Sequence, residues 1–291
     1  MLHDEEAIAL ELAALSTSEI VDAAAVNGAP RLVRRAVEVI AQLPSRRLGK
    51  LLARFDAQIA TIGVSRAARE VLATFGARLT VHGSPPLARA GGALVVVNHP
   101  GAYDALATLA ALGRDDVAVV ASERAFVRAL PHFCEHVVFV TDSRTSGSAF
   151  GRAAGLRSAL AWLARGGVLL QFGAGAIEPD ARFVKEGEPL LGTWQAGTAV
   201  LATRAAALGA AIVPAFVSGV HSRRAKRLPF VRFAERRGIT TIAPLVQATL
   251  PGFRDVEVEV RFGAPVEHPS LEALQAAVGA LGQAAVRSAR W

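Results

Sequence analysis

The chain is short of cysteine, lysine, tyrosine and long apolar runs, and each shortage closes a class of explanation. One cysteine, Cys134, in 291 residues excludes an intrachain disulfide framework and any multi-cysteine zinc site. His132, Cys134 and His136 alternate as they would on one strand face. Without a fourth ligand they read as a loop leading into a strand, so no metal is expected. No run of about 18 residues is free of polar and charged groups, so the sequence holds no spanning helix despite a mean hydropathy of +0.35. The best stretch, residues 91–113, is interrupted by Asn98, His99 and Asp104. No Gly-x-Ser-x-Gly elbow is present, which leaves serine-hydrolase chemistry without its nucleophile. Residues 1–6 are acidic and carry no basic-then-apolar leader. The expectation is a reducing, cytoplasmic compartment without export, and association with a membrane surface stays open.

What is present is arginine. Lys+Arg number 32 against 25 Asp+Glu, a net charge of +7, and only Lys50, Lys185 and Lys226 are lysines. Arginine is weakly hydrated and matches phosphate bidentately, which suits anionic ligands and lipid head groups; a GC-rich genome explains the bias equally well. The densest basic stretch is Arg223-Arg224-Ala225-Lys226-Arg227 with Arg232, Arg236 and Arg237 close by. It reads either as a solvated loop or as a contact for anionic lipid head groups or a coenzyme A phosphate. No aromatic platform or binding motif accompanies it, so nucleic acid is not expected as a partner.

The first 75 or so residues predict helices: 5–15, 18–26, 31–41, 46–59 and 65–75, with Pro30 and Pro44 as punctuation. From residue 78 short apolar runs alternate with helical stretches. Strands are expected at 79–82, 93–97, 117–121, 137–140, 168–172, 212–217 and 256–262. Helices are expected at 105–112, 148–165, 195–208 and 271–288. Val256, Val258 and Val260 alternate with Glu257, Glu259 and Arg261, as in a strand near a sheet edge. The pattern predicts an α/β fold, a mixed and largely parallel sheet flanked by helices, in residues 78–291, preceded by a helical segment in residues 1–77.

In such a sheet, ligands bind beyond the carboxyl ends of the strands. The run at 93–97 is followed by Asn98-His99-Pro100-Gly101-Ala102-Tyr103-Asp104. A histidine five positions before an aspartate, across a strand-to-helix turn, can set a carboxylate against one ring nitrogen and leave the other as a general base. Asp104 also reads as a helix cap and His99 as a turn residue bonded to backbone.

This segment resembles the NHx4D motif of the glycerophosphate and lysophospholipid acyltransferases, with Asn98, His99 and Asp104 in the motif positions. Further blocks follow in that family's order. Phe139-Val140-Thr141-Asp142-Ser143-Arg144 resembles the block whose arginine binds the acceptor's phosphate. Leu169-Leu170-Gln171-Phe172-Gly173-Ala174-Gly175-Ala176 resembles the strand ending in Phe-Pro-Glu-Gly-Thr, and Ile212-Val213-Pro214-Ala215-Phe216-Val217 resembles the strand that contains proline. The likeness spans residues 79–265. It implies acyl transfer from acyl-CoA or acyl carrier protein, as co-substrate, to a hydroxyl of a lysophospholipid or related glycerolipid. No cofactor is needed. His99 would be the base and Asp104 its orienting partner, and an N-terminal helical segment, here residues 31–59, would meet an anionic membrane surface, with a peripheral place on the cytoplasmic face of the membrane; a plain packing role for those helices fits equally well.

The departures bear on the acceptor. The family's third-block glutamate is replaced by Ala174, with Glu178 four positions on as a substitute carboxylate or a loop residue. Arg144 sits one residue further from its block than a direct Asp-Arg pair would place it, with Arg152 as a rival. The resemblance thus implies Arg144, Gly173, Gly175 and Glu178 as the substrate-binding set. Two other readings stay open: a catalytically weak or inactive lipid-binding member, and an acyltransferase for a non-phosphorylated acceptor.

Overall fold

A computed structural model of the chain describes residues 5–23, 31–83, 87, 91–140, 149–237, 242–254 and 256–288. In chain order the first elements are α1 (Glu5–Ala23), α2 (Arg31–Ile62), α3 (Val64–Thr74), β1 (Arg78–His82), β2 (Ala93–Val97), α4 (Asp104–Leu112) and β3 (Val117–Ser122). Then come the short helices α5 (Ala125–Arg128) and α6 (Pro131–Cys134), followed by β4 (Val137–Val140), α7 (Ala149–Ala164), β5 (Val168–Phe172), α8 (Ala196–Ala207) and β6 (Ala211–Ser218). The last are α9 (Arg223–Arg227), α10 (Pro229–Arg236), α11 (Ile242–Thr249), β7 (Glu257–Phe262) and α12 (Leu271–Ser288).

The chain divides into two compact units. One comprises Met1–Arg78, Arg124–Cys134 and His221–Val256; the other comprises Leu79–Glu123, Glu135–Val220 and Glu257–Trp291.

The first unit is helical. α1 and α2 lie close because small residues face each other: a Cβ at Gly49 would stand 2.3 Å from the Ala9 carbonyl oxygen and 3.0 Å from the Ala13 nitrogen. Leu12, Ala53 and Ala9 form a core with Ala129 and Leu130 of the 124–134 segment. A second core gathers Ala225, Val231, Ala243 and Val246. Pro44, expected to separate two helices, lies inside the single helix α2. A mid-helix proline costs about 3 kcal/mol. Burial of Ala41, Leu48, Ala53, Phe55 and Ile59 on both sides of it offsets that cost. Residues 5–15 and part of 18–26, expected as two helices, likewise form the continuous α1.

The second unit is a seven-stranded sheet in the order β1-β7-β6-β2-β5-β3-β4. β2 runs parallel to both β5 and β6, β3 runs parallel to β4 and β5, and β7 is antiparallel to β6. This is the mixed, largely parallel sheet flanked by helices that the alternation predicts. Leu94, Val96, Leu169, Ile212 and Phe216 pack with α7, α8 and α12 through Leu163, Leu201, Ala202, Leu274 and Val278. In β7, Val258, Val260 and Phe262 are buried while Glu257 is exposed, as its alternation requires.

Candidate active site

The chain leaves β2 through α4 for β3, on the far side of β5, and leaves β5 through α8 for β6, on the opposite side of β2. The connections therefore diverge at the carboxyl end of β2, the crevice where open α/β sheets place their ligands. All five residues of β2 are buried, so the first polar groups after it emerge from the middle of the sheet.

Asn98 is fully buried and extends the sheet with its side chain. Its Nδ2 donates to the Val217 carbonyl oxygen at 2.9 Å, and its Oδ1 accepts from the Val217 N–H at 2.7 Å. This pairing ties the residue before His99 to β6.

His99 and Asp104 meet: Nδ1 lies 2.7 Å from Oδ2. The loop between them turns through two left-handed residues, Gly101 (φ +83°) and Ala102 (φ +53°). The second has a Cβ and stores about 1–2 kcal/mol of strain. The turn brings the Gly101 N–H to Asp104 Oδ2 at 2.7 Å, while Oδ1 accepts from the Ala105 N–H at 2.6 Å. Asp104 is thus buried, fixed by backbone donors and set in the first turn of α4, where the helix dipole favours its negative charge. An ionised carboxylate only accepts, so Nδ1 carries the proton and Nε2 is left as the basic nitrogen. The imidazole lies against the Phe172 ring, centroids 4.2 Å apart, and its side chain is 27% exposed. Burial opposes the charged ring, but the charge and hydrogen bond of Asp104, with the charge of Glu178, outweigh it; the pKa of His99 stands above its ordinary value.

Glu178 is buried and braces this loop. Its Oε2 accepts from the His99 N–H at 2.8 Å, and its own N–H donates to the His99 carbonyl oxygen at 2.7 Å. Its Oε1 accepts from the Gly192 N–H at 2.7 Å and from Trp194 Nε1 at 3.1 Å. Both oxygens therefore hold protein groups.

The Gly173–Gly175 loop is also engaged. The Gly173 N–H donates to the Val97 carbonyl oxygen at 2.9 Å, and its own carbonyl accepts from the Gln195 N–H and Thr198 Oγ1. Trp194 lies directly over it: a Cβ at 173 would be 2.4 Å from the indole. Gly175 (φ +59°) donates its N–H to the Phe172 carbonyl oxygen at 3.2 Å. Ala174 is buried in the core. Arg144 lies outside the described residues, as does the side chain of Arg152. His99, Asp104, Gly173, Gly175 and Glu178 are thus brought together, and Asn98, Phe172 and Trp194 complete the frame. Of these three, Asn98 and Phe172 stand in motif blocks of the sequence, and Trp194 carries no such signal.

The alternating His132 and Cys134 belong to the helical unit. His132 Nδ1 lies 2.8 Å from Oδ2 of the buried Asp56, whose Oδ1 accepts from the Phe133 N–H at 2.8 Å, so Asp56 fixes the start of α6. Burial pushes the Cys134 thiol above its ordinary range. Among the described residues no three His, Cys, Asp or Glu side chains gather to hold a metal ion.

No family model matches the chain, and no curated protein matches it. Among solved structures it is similar to the 1-acyl-sn-glycerophosphate (LPA) acyltransferase PlsC from Thermotoga maritima, at 17% identity and a TM-score of 0.43. The match covers 84% of this chain and 97% of that one.

Proposed function

We propose that the chain is an O-acyltransferase that moves a fatty acyl group from acyl-CoA or acyl carrier protein to a hydroxyl of a lysophospholipid or related glycerolipid. The observation that carries this reading is the 2.7 Å contact of His99 with buried Asp104, at the carboxyl end of the central strand, within the NHx4D spacing. A hydroxyl is a weak nucleophile at neutral pH and needs its proton removed as attack begins. His99 Nε2 takes that proton, and Asp104 stabilises the imidazolium. The hydroxyl oxygen attacks the thioester carbonyl carbon, the C–S bond breaks, and the departing thiolate takes the proton back. No covalent acyl-enzyme is required.

The membrane is the proposed source of acceptor. No helix among the described residues is long and apolar enough to cross it. The first half of α2 exposes Leu32 and Ile40, 85% and 75% accessible, together with Arg31, Arg34 and Arg35, a composition suited to an anionic interface.

The test is thiol release from palmitoyl-CoA with and without lysophosphatidic acid. Release should need both the acceptor and His99, and folded His99→Ala should lose about 10²–10⁴-fold in rate. Full turnover by that variant would sink the mechanism.

A second reading concerns the acceptor. The Gly173 and Gly175 N–H groups donate within the protein, and Ala174 brings no charge. These observations favour an acceptor without phosphate, with Arg144 the remaining phosphate ligand of the proposed set. Equal turnover of matched phosphorylated and dephosphorylated acceptors would support it; a strict phosphate requirement would exclude it.

A further inference from the structure

Helix α10 places its side chains against the usual order. Small residues do its packing: Val231 and Ala234 are buried, Val231 in a cluster with Ala225, Ala243 and Val246. Its two largest apolar residues, Phe230 and Phe233, stand 54% and 56% exposed, three positions apart and so on one face. Arginines ring them. Arg223, Arg227, Arg232, Arg236 and Arg237 are all exposed, and the Arg237 guanidinium lies 4.3 Å from the centre of the Phe233 ring. The acid within α10, Glu235, is paired with Lys226 at 2.9 Å.

We infer that α9 and α10 form a docking surface for an anionic lipid bilayer, with Phe230 and Phe233 entering the acyl boundary and the arginines meeting head-group phosphates. Charge complementarity selects this occupant. An amphipathic helix with aromatic residues on one side and cations beside them binds in the plane of an interface through buried apolar area and attraction to anionic lipid together. Each nearby arginine adds attraction at a negatively charged leaflet. Stacking on Phe233 holds the Arg237 cation beside the ring that enters the lipid. The inference rests on the membrane being a partner and is independent of the chemistry at His99.

The test is co-sedimentation of the full chain with phosphatidylcholine vesicles, with and without phosphatidylglycerol. Binding should need the anionic lipid and weaken with salt. Phe230→Ala with Phe233→Ala should reduce it at least about tenfold while the melting temperature holds, since both rings are half exposed. Phe230→Trp should gain quenching by brominated lipid over the wild type. Unchanged binding and no added quenching would overturn the surface alone, leaving the membrane reading in place. Failure of the wild type to bind would overturn both. Self-association that the alanine pair abolishes, with vesicle binding intact, would assign the face to a second copy and overturn the inference.

Discussion

At the scale of single residues, the interaction of His99 with Asp104 sets opposite pH dependences for stability and activity. The folded pKa of His99 is raised, so the pair stabilises the fold fully below about pH 6.5, the ordinary histidine value, and that contribution is lost as pH rises through the folded value. On the proposed mechanism the rate should rise across the same window, because the neutral ring is the proposed base. Asp104→Asn should move the acid limb of the kcat/KM profile to lower pH and lower kcat by up to about 10⁴-fold. An unmoved limb would show that another group titrates. Glu178 acts one step further out. Both its oxygens accept N–H donors, so Glu178→Gln must set an amide NH₂ against a donor. A loss of about 1–3 kcal/mol in stability is expected, read as a lower urea midpoint.

At the scale of elements, what the sequence makes legible depends on how local the cause is. The five strands of the parallel core stand within a residue or two of their expected positions, because short continuous apolar runs, buried throughout in β2 and nearly so in β5 and β6, have few alternatives. His99 and Asp104 are legible for the same reason: the motif lies within one turn. Asn98 and Glu178 are legible as candidates, but the contacts by which they support the pair are not. Glu178 reaches His99 across 79 residues, and Asn98 reaches Val217 across 119; no local spacing records such pairs. α2 was obscured by Pro44, whose local preference yields to packing along the helix. Pro44→Ala should therefore raise stability, by up to about 3 kcal/mol, in thermal or urea unfolding. No change would mean that the lost backbone bond is compensated in place. The short helices α9–α11 carry too few turns for periodicity to reveal them.

At the scale of the whole molecule, the two units share one chain that passes between them repeatedly. The helical unit is assembled from three separated stretches, Met1–Arg78, Arg124–Cys134 and His221–Val256. A fragment beginning at Leu79 would keep the seven strands but strand Ala129 and Leu130 without Ala9, Leu12 and Ala53. It should aggregate or bind more of a hydrophobic dye than the full chain does. A soluble, dye-silent fragment would show that the later stretches find other cover.

The same threading gives synthesis an order of its own. α1 and α2 leave the ribosome before the rest of their unit, whose last stretch begins at His221. At about 5–20 residues per second, the wait from Ile62 is on the order of 10 s. Ala9, Leu12 and Ala53 gain Ala129 and Leu130 when the second stretch emerges, but the unit stays incomplete until the third stretch follows. A chaperone or the proposed lipid surface would shelter it for that interval, which would make the pace of translation a parameter of this protein's yield.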